Sequence, residues 1–473
     1  MKRQFQIKIL MNISLLFFMF AVTTLLLSQD LFTHFSEGQI SKNQQTILKR
    51  LKSDSSTIDL QIVKVNTNYF KNCNSINLNL SSTKNSMAIK QKLEKRSDSD
   101  FSWFATIPEK NSDIIISVYK DAVVGYIVID NECYNLRSLG EGLNALVHTD
   151  PSKYPPCGNC PNPGNYSQNS STCDNLSEHS LTQNNLNPTI KTEKLLTTNT
   201  IIRVLVAYTE NAKIQTGGEN SMNALIANSI TSANDAFYFS NLSIKLELAH
   251  RRQVIHNESN NDNYVPNNWC EELPGGDRLV TLQQFQAKSD GKMDEIHALR
   301  DAYAADICVL ITTDAISVCG QAYEINANSD EAFCVVQQSC ASAAGKRSFT
   351  HEIGHIFGGR HQSKKHGADG YDPCDVPYSY AHGYAFTGND QNDYRTMMNV
   401  DPGRGLRIKY FSNPSVPFQG VYTGDVDHNV AGVLNIRQGS VSNFRVNHNI
   451  NDHVTLTEDL EIQSGFTLTV QAG

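Results

Sequence analysis

The stretch Ser348 to His361, SFTHEIGHIFGGRH, constrains this chain more than any other part of it. It sets His351, Glu352, His355, Gly358 and His361 at fixed spacing. On a helix, residues four apart share a face, so His351 and His355 point the same way. Two imidazoles so placed suit one zinc ion. Glu352, one position on, lies toward the open side of such an ion, where a carboxylate acts as general base on water. Gly358 tolerates positive φ, so the helix stops there and the chain turns back. The turn offers His361 as a third ligand. Three protein ligands leave one position for water, the arrangement of a catalytic rather than a structural zinc. A bare His-Glu-x-x-His arises by chance in long chains, but Gly358 and His361 at the right distance make coincidence a poor account.

That helix requires a domain around it. Ile201 to Tyr208 reads as a buried strand. A helix follows, with Met222, Leu225, Ile226, Ile230, Ala233 and Phe237 at three- and four-residue spacing. Leu242, Ile244, Leu246 and Leu248 alternate as a half-buried strand, Met293 to Tyr303 marks a second helix, and Ile307 to Thr312 a fully buried strand. Ala332 to Val336 is expected to be a further strand, at the sheet edge. Strands alternating with helices indicate an α/β domain with a mixed, mostly parallel sheet, over 199–446.

The flanks differ in kind. Lys2, Arg3 and Lys8 precede an apolar run from Ile9 to Leu27 that ends in Ser28. This pattern predicts a signal peptide at 1–28, export, and no stable membrane insertion after its removal. A retained anchor is the rival reading, since the run approaches spanning length. Residues 30 to about 150 read as a small α+β region, with Asp113–Tyr119 and Ala122–Asp130 as two strands joined by a turn at Lys120-Asp121. From Pro151 to about Thr200, Asn, Ser, Thr, Gln and Pro dominate, which predicts an exposed linker. At 447–473, alternation from Val454 to Val470 predicts a short β-rich tail, the possible start of a truncated C-terminal module.

A net charge of -8 and a pI near 6.0 argue against nucleic acid as a partner. Nothing in the sequence speaks to oligomeric state. Calcium is an option for an acidic exported chain, yet no compact Asp/Asn loop calls for it. His366, His382 and His428 read as surface residues or supports of the site rather than ligands.

The extended zinc motif, with Arg395-Thr396-Met397-Met398 downstream, resembles the metzincins. The wider match is to their bacterial reprolysin-like group, which includes peptidyl-Asp metalloendopeptidases. It is carried by Val204-Leu205-Val206-Ala207-Tyr208-Thr209, Cys319-Gly320-Gln321-Ala322-Tyr323, Ala381-His382-Gly383-Tyr384 and Phe411-Ser412-Asn413-Pro414. The resemblance implies a metzincin-like catalytic domain split by a cleft, with the motif helix on its floor. It implies a methionine turn beneath the ligands, at Met398, with Met397 the alternative. It implies a protein or peptide substrate lying extended along the sheet edge, for which Ala332–Val336 is the candidate. Two departures stand out: Gln362 follows His361 where animal reprolysins carry Asp, and Asn399-Val400 follows Met398 where some metzincins carry Tyr. No residue identifies itself as the seat of a preference for Asp.

Placing the catalytic domain at 199–446 makes 29–198 a propeptide and linker. Many metzincins block zinc with a propeptide cysteine. Of the 11 cysteines, Cys270, Cys308, Cys319, Cys334, Cys340 and Cys374 fall in the catalytic region, and Cys73, Cys133, Cys157, Cys160 and Cys173 before it. Six can pair among themselves and five cannot, which points to a spare thiolate as blocking ligand. Cys157 and Cys160, in Pro155-Pro156-Cys157-Gly158-Asn159-Cys160, are the best placed. The leading reading is a secreted, zinc-dependent endopeptidase. Its rivals are a zinc hydrolase of another amide, such as a cell-wall peptide, and a binding module that kept the fold without catalysis.

Overall fold

The computed structural model describes residues 29–81, 83–158, 199–258, 279–313, 316–362 and 377–445. The expected signal peptide, most of the linker and the tail lie outside them. Among the described residues no helix is long and apolar enough to cross a membrane.

Residues 29–158 form one nine-stranded antiparallel sheet with two helices. Its strands are β1 (Phe32–Phe35), β2 (Thr57–Val65), β3 (Ser75–Asn79), β4 (Asn85–Lys95) and β5 (Asp100–Thr106), then β6 (Ser112–Tyr119), β7 (Ala122–Ile129), β8 (Glu132–Gly140) and β9 (Leu143–Thr149). They lie in the order β1-β2-β9-β8-β7-β6-β5-β4-β3. The helices are α1 (Lys42–Ser53) and α2 (Asn68–Asn72). The expected hairpin is β6–β7, turning at Lys120, whose φ is 54°. Both strands read as continuous apolar runs because both of their faces are covered. Ile114, Ile116, Val123 and Ile127 face the core of this region, while Ile115, Tyr126 and Val128 face Ala344 of the second region.

The second region is a three-layer α/β unit. Its five-stranded sheet runs β11-β10-β12-β14-β13, from β10 (Thr200–Thr209), β11 (Ile244–Val254), β12 (Ile307–Thr312), β13 (Gly320–Ala322) and β14 (Phe333–Gln337). All neighbours are parallel except β13 and β14. Helices α3 (Glu210–Thr216) and α4 (Glu219–Phe239) follow β10, and α5 (Val280–Gln286) and α6 (Glu295–Ala302) precede β12. The motif helix α7 (Ser348–Ile356) and the last helix α8 (Val430–Val441) share one core with α4 on one face of the sheet. The second core, with Leu282, Phe285 and Ile296, lies on the other face.

Three expectations need correction. The sheet edge is β13, not Ala332–Val336: β14 pairs on both sides and is buried throughout. A three-residue strand containing Gly320 is too short to show periodicity, whereas the fully apolar β14 shows none of the alternation of an exposed edge. Residues 151–158 are not an exposed linker, since Tyr154 and Cys157 are buried against the second region. The six catalytic-region cysteines do not all pair. Cys319 and Cys340 form a disulfide, but Cys308 and Cys334 are free thiols. Cys308 lies opposite Phe333 and Cys334 opposite Val309, so the two side chains point to opposite faces of the sheet and cannot meet.

Candidate metal centre

Helix α7 projects His351 and His355 from one face, as a four-residue spacing requires. The helix ends at Phe357, and Gly358 follows at φ 110°, a conformation that strains any residue with a Cβ. The chain reverses there and brings His361 back. Its Nε2 lies 3.1 Å from Nε2 of both His351 and His355. A methionine turn lies below. Met397 O accepts from His351 Nδ1 at 2.8 Å, and Met398 packs so closely under α7 that a Cβ on Gly354 would stand 2.6 Å from its Sδ. Only glycine fits at position 354 with Met398 in that place.

The ring nitrogens decide what this cluster holds. His351 Nδ1 donates to Met397 O and His355 Nδ1 donates to Gly359 O at 2.7 Å. Burial holds His351, His355 and His361 neutral by pushing their pKa values well down, to about 3 for His355. With the proton on Nδ1, each Nε2 of His351 and His355 presents a bare lone pair. Lone pairs converging within 3.1 Å on His361 suit a shared cation rather than a hydrogen bond. Two nitrogens bound to one tetrahedral zinc would stand roughly 3.3 Å apart. The donor set, all nitrogen from neutral imidazole with the outer nitrogens anchored on carbonyls, fits zinc.

Cys157 is the fourth member of this cluster, and the four ligand atoms lie within 4.8 Å of one another. Its Sγ is 3.2 Å from His351 Nε2, 3.6 Å from His355 Nε2 and 3.5 Å from Glu352 Oε1. The segment carrying it is laid along β13. Pro156 O accepts from Cys319 N at 2.8 Å, Gly158 N donates to Gly320 O at 2.8 Å, and Gln321 Nε2 donates to Gly158 O at 2.9 Å. Cys157 pairs with Gly320 in parallel, as an added strand. The Cys319–Cys340 disulfide ties this edge to the loop that leads into α7.

Burial pushes the Glu352 carboxyl up to about 8, despite the opposing pull of Cys157, Arg407 and Lys346. A carboxyl poised near neutrality suits proton transfer. His382 is buried and bonds through Nδ1 to His361 O at 2.6 Å, supporting the third imidazole from behind. His428 bonds to Asp425 at 2.7 Å and stands against Tyr384. His366 and Cys160 lie outside the described residues. Gln362 accepts from Val400 N at 2.9 Å and so ties the end of the motif to the exit of the methionine turn. Lys346, bonded to Pro155 O, and Arg407, bonded to Lys346 O and Asn399 O, are both buried and escaped the sequence reading: loop cations carry no period or motif.

Residues 198–412 match the family model of the reprolysin-like metallo-peptidases of family M12. A protein named peptidyl-Asp metalloendopeptidase from Stenotrophomonas maltophilia is 31% identical over 67% of this chain and 66% of its own length. One of the same name from Xanthomonas campestris is 29% identical over 64% of this chain and 63% of its own. The chain thus spans just under two thirds of the length of these relatives. A solved metalloproteinase-II from Bacteroides fragilis aligns at TM-score 0.32 and 12% identity, over 62% of this chain and 83% of that one, too loosely to carry argument. Over residues 198–412 the chain is thus similar to the reprolysin-like metallo-peptidases of family M12.

Proposed function

We propose that this chain is an exported zinc endopeptidase made as a latent precursor, with 29–198 as propeptide and linker and 199–446 as catalytic domain. One observation carries the reading: neutral imidazoles of His351, His355 and His361 converge beside a buried Glu352. A zinc ion held by those nitrogens would supply a Lewis acid and make water acidic near neutral pH. Glu352 takes a proton from the attacking water on its carboxylate and passes it to the leaving amine nitrogen. Met398 and Gly358 hold the ligands in place. Cys157 supplies the block. Its Sγ occupies the fourth corner of the cluster and also touches Glu352, so ligand position and base are masked together.

The same edge takes substrate. Strand β13 holds the Cys157 segment by backbone bonds, and a peptide adding to that edge uses the same donors and acceptors once the segment leaves. The relatives are named for cleavage at Asp, and we extend a preference for acidic side chains to this chain.

The test is a protein-digestion assay on residues 29–473, with and without a zinc chelator. Cys157→Ala leaves the segment held on β13 by backbone bonds alone, so the precursor should leak activity that the wild-type precursor lacks, and Glu352→Ala should lower processed-enzyme activity by about 100-fold or more. Unchanged latency in Cys157→Ala would discard the block. Activity that survives both chelator and Glu352→Ala would discard the zinc mechanism.

A further inference from the structure

The loop entering α7 holds a cation without a counter-charge. Lys346 is only 7% exposed. Among the described residues, the one bond of its ammonium runs to Pro155 O, at 2.6 Å, two residues before Cys157. Two guanidinium groups stand near it. Arg407 donates from Nη1 to Lys346 O at 2.9 Å, and from Nε and Nη2 to Asn399 O at 3.2 and 3.1 Å. Arg395 donates to Asn399 O at 2.9 Å and Gly405 O at 3.0 Å. All three cations are buried, and all three are met by carbonyl oxygens alone.

Buried Arg347 and half-buried Lys409, both nearby, show the contrast. Both pair with Asp113, at 2.5 and 2.9 Å, and Lys409 also with Asp235 at 2.7 Å. Buried charge is costly unless an opposite charge meets it. Burial, with Arg407 and Arg395 adding repulsion, holds Lys346 well below the usual lysine range. The bond to Pro155 O puts the ammonium beside the segment whose Cys157 reaches the imidazoles. Arg407 has its donors committed to the catalytic region itself. Lys346 does not: its single bond departs with the propeptide, leaving three ammonium donors open.

We infer that Lys346 is the specificity-determining residue of the processed enzyme: its ammonium, backed by Arg407, receives the carboxylate of an acidic substrate side chain beside the scissile bond, and the Pro155 carbonyl holds that place in the precursor. The inference rests on the peptidase reading above. An incoming carboxylate restores the charge that burial disfavours, whereas an amide of the same shape does not. A hydrogen bond to a charged group supports a discrimination of about 10- to 100-fold.

The experiment compares processed wild-type enzyme with Lys346→Gln on two peptides that differ only by Asp or Asn at one position. Wild type should favour the Asp peptide in kcat/KM by about 10- to 100-fold. Lys346→Gln should bring the ratio close to one by losing far more rate on the Asp peptide than on the Asn peptide. An unchanged ratio in Lys346→Gln overturns the assignment. Cleavage sites of the wild type in a denatured protein mixture test it without any variant. Asp and Glu enriched at one flank are expected, and no enrichment at either flank overturns it. Wild type that carries one zinc per chain and cleaves nothing removes the peptidase reading, and this inference with it.

Discussion

Helix α4 is buried on two sides, and the two sides differ in chemistry. The inner side meets the five-stranded sheet and α7 with Met222, Ile226, Ala233 and Phe237. Phe237 stacks on Phe411 at 5.6 Å and leans on Phe357 at 6.4 Å. The outer side meets the N-terminal sheet with Ser221, Asn228 and Thr231, and Asp235 reaches it through Lys409, which also pairs with Asp113. Ser221 bonds Ser138 at 2.7 Å, Asn228 bonds Ser117 at 3.1 Å, and Thr231 bonds Ser102 at 3.1 Å. Apolar contact is not absent there: Leu225 borders a crevice with Val124, and Ala122 and Val124 join the same cluster as α4. Packing of the inner kind holds a domain together, since its apolar surface gains nothing from water. Hydroxyls and amides satisfied across an interface can return to water at small cost. If the N-terminal region is removed as proposed, the outer side is the one that would be uncovered.

The largest effect expected is on the inner side. Phe237→Ala leaves a cavity between Phe411 and Phe357 and should cost about 4 kcal/mol. The loss should be equal in the precursor and in the processed domain, because neither partner belongs to the propeptide. Urea unfolding of both forms reads this, and a loss confined to the precursor would erase the contrast between the two sides.

A somewhat smaller effect belongs to the charges at the rim. Asp113, on β6, sits between Arg347 and Lys409, with Asp235 of α4 on the far side of Lys409 and Tyr126 nearby. Burial works against its carboxylate, but Lys409 and Arg347 outweigh burial and hold its pKa below the ordinary value. Asp235 has only Lys409, and burial pushes it up. Asp113→Ala strands Arg347 and should weaken propeptide docking by about 3 kcal/mol, leaving the processed domain unchanged. The sign of the pH dependence follows from the lowered pKa. The Asp113 contribution is complete above its unfolded value of ~3.9 and is lost as pH falls through the lower folded value. Docking through this contact should hold from pH 7 to about 4, then decline. The midpoint of urea-induced unmasking in the uncleaved precursor, followed against pH, measures it; a decline already complete by about pH 5 would contradict the assignment.

How much of this was legible in the sequence follows the same division. His351, Glu352, His355, Gly358 and His361 were readable because their relation is local: one helix and one turn fix it. The inner side of α4 was readable because apolar residues repeat at helical spacing. Its outer side was not, since Ser221, Asn228, Thr231 and Asp235 look like any solvated stripe until a second sheet covers them. Strand β13 was too short to show a period. Cys157 and Cys160 were equal candidates in one tripeptide spacing, and only the register of the added strand against Gly320 puts Cys157 on the imidazoles. Lys346 carried no signal, because what marks it is the lack of an anion among residues far apart in the chain.

The smallest effect sharpens the comparison most, because it touches one hydroxyl, bonded to Ser102 and Arg96, on the separable side. Thr231→Val keeps the shape of the side chain and removes its hydroxyl. Ser102 retains Ser117 at 2.8 Å, and Arg96 retains Asp100 at 2.7 Å, so neither is left stranded. The precursor should lose about 1 kcal/mol, the net value of a buried hydrogen bond. In the processed domain residue 231 meets water, and a surface substitution there should change stability by less than about 0.5 kcal/mol. The difference between the two losses, read from paired urea titrations, isolates what the interface contributes. Equal losses in both forms would mean that this side of α4 stays covered after processing, and the distinction between a permanent and a separable side would fail at its centre.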